Sequence, residues 1–196
     1  MLVLGLGLVG LLWSGREYIF PGGAPGVLLD TVSVSRANLI GLRSNWRLTG
    51  TGPTTGIVAD IENGEWRQTI TFAILPNSDP SLPASHIVEI KIPNVYPGRK
   101  VAALSGLYAK AARQDPGRQL IGAIAEVADG TFWIVLSAVP QDREANLKLL
   151  SEAGSLQLNF EFANGNSGIL VVDKGDTGRI VFDKALAAWR SKPSAQ

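Results

Sequence analysis

The stretch Leu156-Gln157-Leu158-Asn159-Phe160-Glu161-Phe162 decides the fold class. Apolar and polar side chains alternate along it, and a period of two marks a strand with one buried face. Asn164-Gly165 lies in the loop that follows, and this pair tolerates the positive φ of tight hairpin turns. Ile169-Leu170-Val171-Val172 then returns as the partner strand.

The same device occurs twice more upstream. Ile57 to Ile61 runs to Asn63-Gly64, and Trp66 to Leu75 comes back with Trp66, Gln68, Ile70, Phe72 and Ile74 on one face. Leu120 to Val127 runs to Asp129-Gly130, and Thr131 to Val139 returns. The run from Phe132 to Leu136 is apolar on both faces, which predicts a central strand covered on each side. His86 to Ile92 alternates Val88, Ile90 and Ile92 against Glu89 and Lys91, and Pro93 and Pro97 close it because proline cannot donate to a ladder. With a further strand at Asn45 to Thr49, these segments make about eight strands, a number that suits a sandwich or partly closed barrel. Residues 99–112 are expected to form a short strand and then a helical turn.

Two helices are expected at the periphery. Asp142 to Ala153 carries Leu147, Leu149 and Leu150 on or near one face and ends at Gly154, where a helix commonly stops. Phe182, Ala185, Leu186 and Trp189 fall at i, i+3, i+4 and i+7, an amphipathic stripe. The fold class is therefore mainly β: an antiparallel, hairpin-rich sandwich with two peripheral helices and an N-terminal apolar helix.

That last helix is the reading of Leu2 to Trp13, LVLGLGLVGLLW, an unbroken apolar run followed by Arg16, Glu17 and Tyr18. A spanning helix needs about 20 apolar residues. The run reaches that length by continuing through Ile19 and Phe20, with Arg16 and Glu17 near one end where charged groups reach toward the interface. Trp13 is then a candidate interfacial anchor. Two other readings compete. Gly5-Leu6-Gly7-Leu8-Val9-Gly10 fits G-x-G-x-x-G, and Asp30 stands where a dinucleotide fold places the acid for the ribose hydroxyls. That fingerprint needs a preceding strand and alternating strands and helices after it, which the rest of the chain does not supply. The third reading is a buried arm of a soluble domain.

Composition narrows the function classes. The 196 residues carry a net charge of +1 with no dense run of Lys or Arg, so no patch is set to neutralise nucleic-acid phosphates. With no cysteine, disulfides, thiolate metal sites and a Cys nucleophile are ruled out. His86 is the single histidine, so a Ser-His-Asp triad would have to use it. Yet no nucleophile elbow exists; Ala103-Leu104-Ser105-Gly106 lacks its first glycine. A lone histidine starting a strand reads as a rim residue.

Asp173, Asp176 and Asp183 could offer oxygen ligands to calcium, but their spacing reads better as a turn and a helix cap at Asp176 or Thr177. Lys174-Gly175-Asp176-Thr177-Gly178 lacks the order of a phosphate loop. Glu62 and Glu65 flank a turn and read as solvated. Trp46, Trp66, Trp133 and Trp189 read as core. No catalytic, cofactor-binding or metal-binding residue is assigned, and no cofactor is expected.

The order of features from Gly130 to Trp189 carries a resemblance. Gly130-Thr131-Phe132-Trp133 is followed by a helix with Leu147-Lys148-Leu149-Leu150, the turn Asn164-Gly165, Asp173-Lys174-Gly175 and the segment Phe182 to Trp189. Together with Leu82-Pro83-Ala84-Ser85-His86, this resembles a group of membrane-anchored bacterial β-sandwich proteins. More distantly it is similar to the invasion-associated locus B family of exported domains. The resemblance brings no catalytic residues. It implies an N-terminal anchor in the inner membrane with the sandwich facing the periplasm. Read along the residues, the anchor covers 1–20, a linker 21–43, the sandwich domain 44–191 and a tail 192–196. The partners expected are the membrane, through the N-terminal segment, and a protein or envelope component.

Overall fold

The computed structural model describes residues 27–30, 42–63, 68–93 and 100–191. They form two antiparallel sheets and two helices. The larger sheet contains β2 (Leu42–Thr49), β3 (Gly56–Asn63), β4 (Gln68–Pro76), β5 (Ala84–Lys91), β8 (Gly122–Ala128) and β9 (Thr131–Ser137). Its strand order is β2-β3-β4-β5-β9-β8. The smaller sheet contains β1 (Val27–Asp30), β6 (Val101–Lys110), β7 (Arg118–Gln119), β10 (Ser155–Phe162) and β11 (Ser167–Asp173), in the order β1-β11-β10-β6-β7.

Register explains why the alternating strands sit as they do. Trp46 faces Ala59, Ala59 faces Phe72, Phe72 faces Ile90 and Ile90 faces Phe132, one row across five strands. A second row joins Ile57, Ile74, Val88 and Ile134. Both rows are buried. In the smaller sheet Leu156 faces Val172 and Ala109, and Leu158 faces Leu170 and Leu107. A one-residue slip would turn every one of these side chains outward, so burial fixes the pairing. The two rows and the smaller sheet's inner face belong to one continuous core, which both helices also enter.

The helices are α1 (Pro140–Glu152) and α2 (Gly175–Arg190). Helix α2 lies mainly on β2 and β3, while α1 contacts β6, β9 and α2. The stripe Phe182, Ala185, Leu186 and Trp189 on α2 is buried as its spacing predicts, and Val181 is buried beside it. Its approach to β2 needs Gly178, because a Cβ there would come within 2.7 Å of the Trp46 ring. Helix α1 is held to the sheet by Asn146, whose Oδ1 accepts from the Ile121 N–H and whose Nδ2 donates to the Ile121 carbonyl, both at 2.8 Å. The amide thus supplies the acceptor for the Ile121 N–H and adds a second donor to its carbonyl, which also accepts from the Ser137 N–H at 3.1 Å. Asn146→Ala leaves the Ile121 N–H without an acceptor, while the Ile121 carbonyl keeps the Ser137 N–H, and is expected to lower stability by about 1–2 kcal/mol in urea denaturation. Asn146→Asp, which keeps only the acceptor side, should cost a similar amount.

Several expectations are corrected. Residues 101–110 are one continuous strand, with no helical turn. Val27–Asp30, inside the stretch expected to be a linker, pairs with β11 as an edge strand. Strand β9 is buried on one face only; Trp133 and Val135 are partly exposed on the other. The indole N–H of Trp133 donates to Glu89 Oε2 at 3.1 Å there. Helix α2 has no side-chain cap: Lys174 is its N-cap residue, and neither Asp176 nor Thr177 serves. Hairpin turns at Gly130 and Gly165 adopt the positive φ their sequences call for, 68° and 81°. The loop around Gly64, with Glu65 and Trp66, lies outside the described residues, as do residues 1–20 and 192–196. Among the described residues no helix is long and apolar enough to cross a membrane.

Candidate functional site

A cleft of about 710 Å³ opens where the start of β5, the start of α1 and the end of α2 converge. That volume lies within the range of small-molecule sites. Its floor is His86, Leu147 and Trp189. His86 is only 4% exposed, and its ring lies 4.3 Å from the Trp189 ring, tilted by 55°. The lone histidine is therefore an interior residue and not the rim residue its strand-end position suggests.

The floor is rigid for local reasons. Trp189 Nε1 donates to the Thr55 carbonyl at 2.6 Å, and the Trp189 carbonyl accepts from Arg143 Nη2 at 2.9 Å. The second bond satisfies a carbonyl of the last turn of α2 with a cation, which also suits the negative end of the helix dipole. One lip is the β4–β5 loop. Asn77 ties it together, with Nδ2 donating to the carbonyls of Asp79, Leu82 and Ala84 at 2.8–3.1 Å, and Oδ1 accepting from the Asp79 N–H at 2.9 Å. Asp79 Oδ1 in turn accepts from the Ser81 hydroxyl and the Ser81 N–H, which hold its carboxyl below the usual carboxylate range. The Ala138 N–H donates to the Pro83 carbonyl at 3.3 Å and joins the lip to the α1 side.

The walls are short and stiff: Pro53, Pro76 and Pro140 with Ala84 and Ala138. Charge collects around them from Arg143, Lys148 and Arg190 against Glu144, so cations are in excess. Lys148 has Glu152 as an ion-pair partner, at 3.9 Å, with both side chains more than half exposed. Such a pair adds little stability. Arg190 has no hydrogen-bond or ion-pair partner among the described residues.

Other residues named from sequence do not converge here. Gly5, Gly7 and Gly10 lie outside the described residues, and Asp30 ends an edge strand opposite Ile169. Every strand pair among the described residues is antiparallel, so the parallel βαβ unit that the glycine fingerprint needs does not occur among them. The Asp173 carboxylate pairs with Arg113, while Asp176 and Asp183 are exposed on α2. No group of three or more His, Asp or Glu able to hold a metal ion occurs among the described residues. Ser105 is exposed on β6, remote in register from His86, which lies in the other sheet.

Sequence reasoning missed the cleft. Its lining comes from segments near residues 53, 76–86, 138–148 and 189–190, and no local pattern joins them. The one local signal is His86 itself, the single histidine, at the end of the Leu82–His86 stretch.

Fold and cleft together define a mainly β, two-sheet domain with a helix-bordered, cation-rich recess. The chain matches no family model, no curated protein and no solved structure.

Proposed function

We propose that this chain is a non-enzymatic β-sandwich module, tethered to the inner membrane by residues 1–20 and facing the periplasm, that binds a protein or envelope component through the cleft. The observation that carries the binding reading is the cleft itself. Its floor is pinned at Trp189 by two hydrogen bonds, and its lip is pre-ordered by Asn77. Pre-ordered recesses lose little entropy when occupied, which favours recognition. The apolar run Leu2–Trp13 and the resemblance of Gly130–Trp189 to membrane-anchored bacterial proteins support the tether and its location. The continuous core shared by the two sheets supports the sandwich.

The experiment is a fusion of the full chain, at its C-terminus, to a reporter active only outside the cytoplasm, with fractionation in parallel. Reporter activity in the membrane fraction is the expected result. An inactive reporter, with the protein in the soluble cytosolic fraction, would sink the tethered reading.

A further inference from the structure

From the distribution of charge and apolar surface in this cleft, we infer that its ligand is an organic anion: one acid group, carboxylate or phosphate, on a compact apolar body. The inference rests on the reading of the cleft as the binding site. The apolar body is selected by the walls. Pro53, Pro76, Pro140, Ala84 and Ala138 offer no side-chain hydrogen-bonding groups, and their short side chains have little rotamer freedom to lose. Asn77 and Ser85 also line the recess, but the Asn77 amide is engaged within the β4–β5 loop and the Ser85 hydroxyl donates to the Leu136 carbonyl at 3.4 Å, so a polar body against these walls gives up its water for few new partners.

The acid group is selected by the basic side chains. Arg143 uses a guanidinium N–H on the Trp189 carbonyl, and no acid pairs with it among the described residues. Arg190 has no protein partner among the described residues, and the ion pair of Lys148 with Glu152 is long and exposed. Three cations therefore border the recess against the single carboxylate of Glu144. An anion entering the recess gains charge-assisted hydrogen bonds that need no existing strong ion pair to break. A cation meets the same groups as repulsion, so the site discriminates by sign as well as by shape.

The probes are three rings of one shape and different charge: para-fluorobenzoate, para-fluorobenzyl alcohol and para-fluorobenzylammonium. Each is titrated against the full chain and read by fluorine NMR line width. Saturable broadening of the benzoate is expected, with the alcohol at least about tenfold weaker and the ammonium weaker still. Arg190→Gln and Lys148→Gln, both exposed changes, should each weaken the benzoate roughly three- to tenfold and leave the alcohol unchanged. Ala138→Trp, on the cleft wall, should weaken binding at least about tenfold by crowding the recess. Absence of saturable benzoate binding overturns the inference, as does benzoate binding indifferent to both charge variants. Alcohol or ammonium binding that Ala138→Trp weakens, with no benzoate binding, overturns the anion assignment and leaves the cleft reading standing. Binding of any probe that Ala138→Trp does not change puts the site elsewhere, and both readings fall.

Discussion

Replacing Trp46 by alanine is expected to remove about 4 kcal/mol of folding stability, the upper range for deleting a large buried aromatic. Trp46 is 3% exposed and is the point where the larger sheet meets α2. Its ring packs edge-on against Phe72 at 6.0 Å and against Phe182 at 5.1 Å. Its indole N–H donates to the Asp173 carbonyl at 3.0 Å, at the turn between β11 and α2. Gly178 leaves no Cβ over the ring, so the backbone of α2 rests close to it and cannot easily collapse into a vacated space. Trp46→Phe separates the terms: it keeps an aromatic ring but loses the bond to Asp173, and should cost about 1–2 kcal/mol. Urea denaturation of both variants checks this. A loss below about 1 kcal/mol for the alanine variant would mean that α2 is not held to the sheet at Trp46.

The second large effect has the opposite sign. Lys174 is 3% exposed, with its ammonium donating to the Leu150 carbonyl at the end of α1 and standing 3.9 Å from the centre of the Phe182 ring. Burial lowers its pKa to about 8, opposed by Asp183 and reinforced by Arg179. A tenfold displacement of a proton equilibrium is about 1.4 kcal/mol, so a fall from 10.5 to about 8 makes the buried charge destabilising by roughly 3 kcal/mol. The penalty is complete below about pH 8, where folded and unfolded chains both hold the proton. Between about pH 8 and 10.5 the folded chain holds fewer protons than the unfolded one, so this residue's contribution to stability improves as pH rises.

Lys174→Met removes the charge and also the bond to Leu150, which offsets about 1 kcal/mol. The variant should therefore be more stable than the natural chain by about 2 kcal/mol at pH 7, and the advantage should be gone near pH 10. Paired urea titrations at both pH values read the difference and cancel groups common to the two proteins. A variant that is less stable at pH 7, or a difference that does not change with pH, would show that the bonds to Leu150 and Phe182 outweigh the burial of the charge.

Strands with clean alternation were legible because burial on one face writes itself into the sequence: β5 and β10 follow their period-two patterns within one or two residues. Strand β6 was not legible. Its pairing with β10 shifts register between Asn159 and Phe160 and again between Glu161 and Phe162, so Val101, Leu104 and Leu107 fall out of strict alternation. Strand β1 is four residues long and is defined by its partner β11, more than a hundred residues away, and not by its own pattern.

Strand β9 misled for a different reason. Leu75, Ile87, Val135 and Ala123 form an apolar row on the outer face of the larger sheet, so hydrophobicity on two faces did not mean burial on two faces. The capping expectation at α2 failed because the chain enters that helix through the buried Lys174, with Asp173 already engaged by Arg113. The cleft depends wholly on tertiary packing, since the His86–Trp189 stack joins residues from β5 and α2.

The proposal of a tethered, outward-facing binding module is tested most directly by one introduced thiol. The chain has no cysteine, so Ala138→Cys, an exposed position on the cleft wall, gives a unique reporter. Cells carrying the full-length variant are made into intact spheroplasts and treated with a membrane-impermeant maleimide, then compared with lysed cells. The account predicts labelling in the intact spheroplasts, on protein that stays with the membrane fraction. Labelling only after lysis would place the cleft on the cytoplasmic side and contradict it.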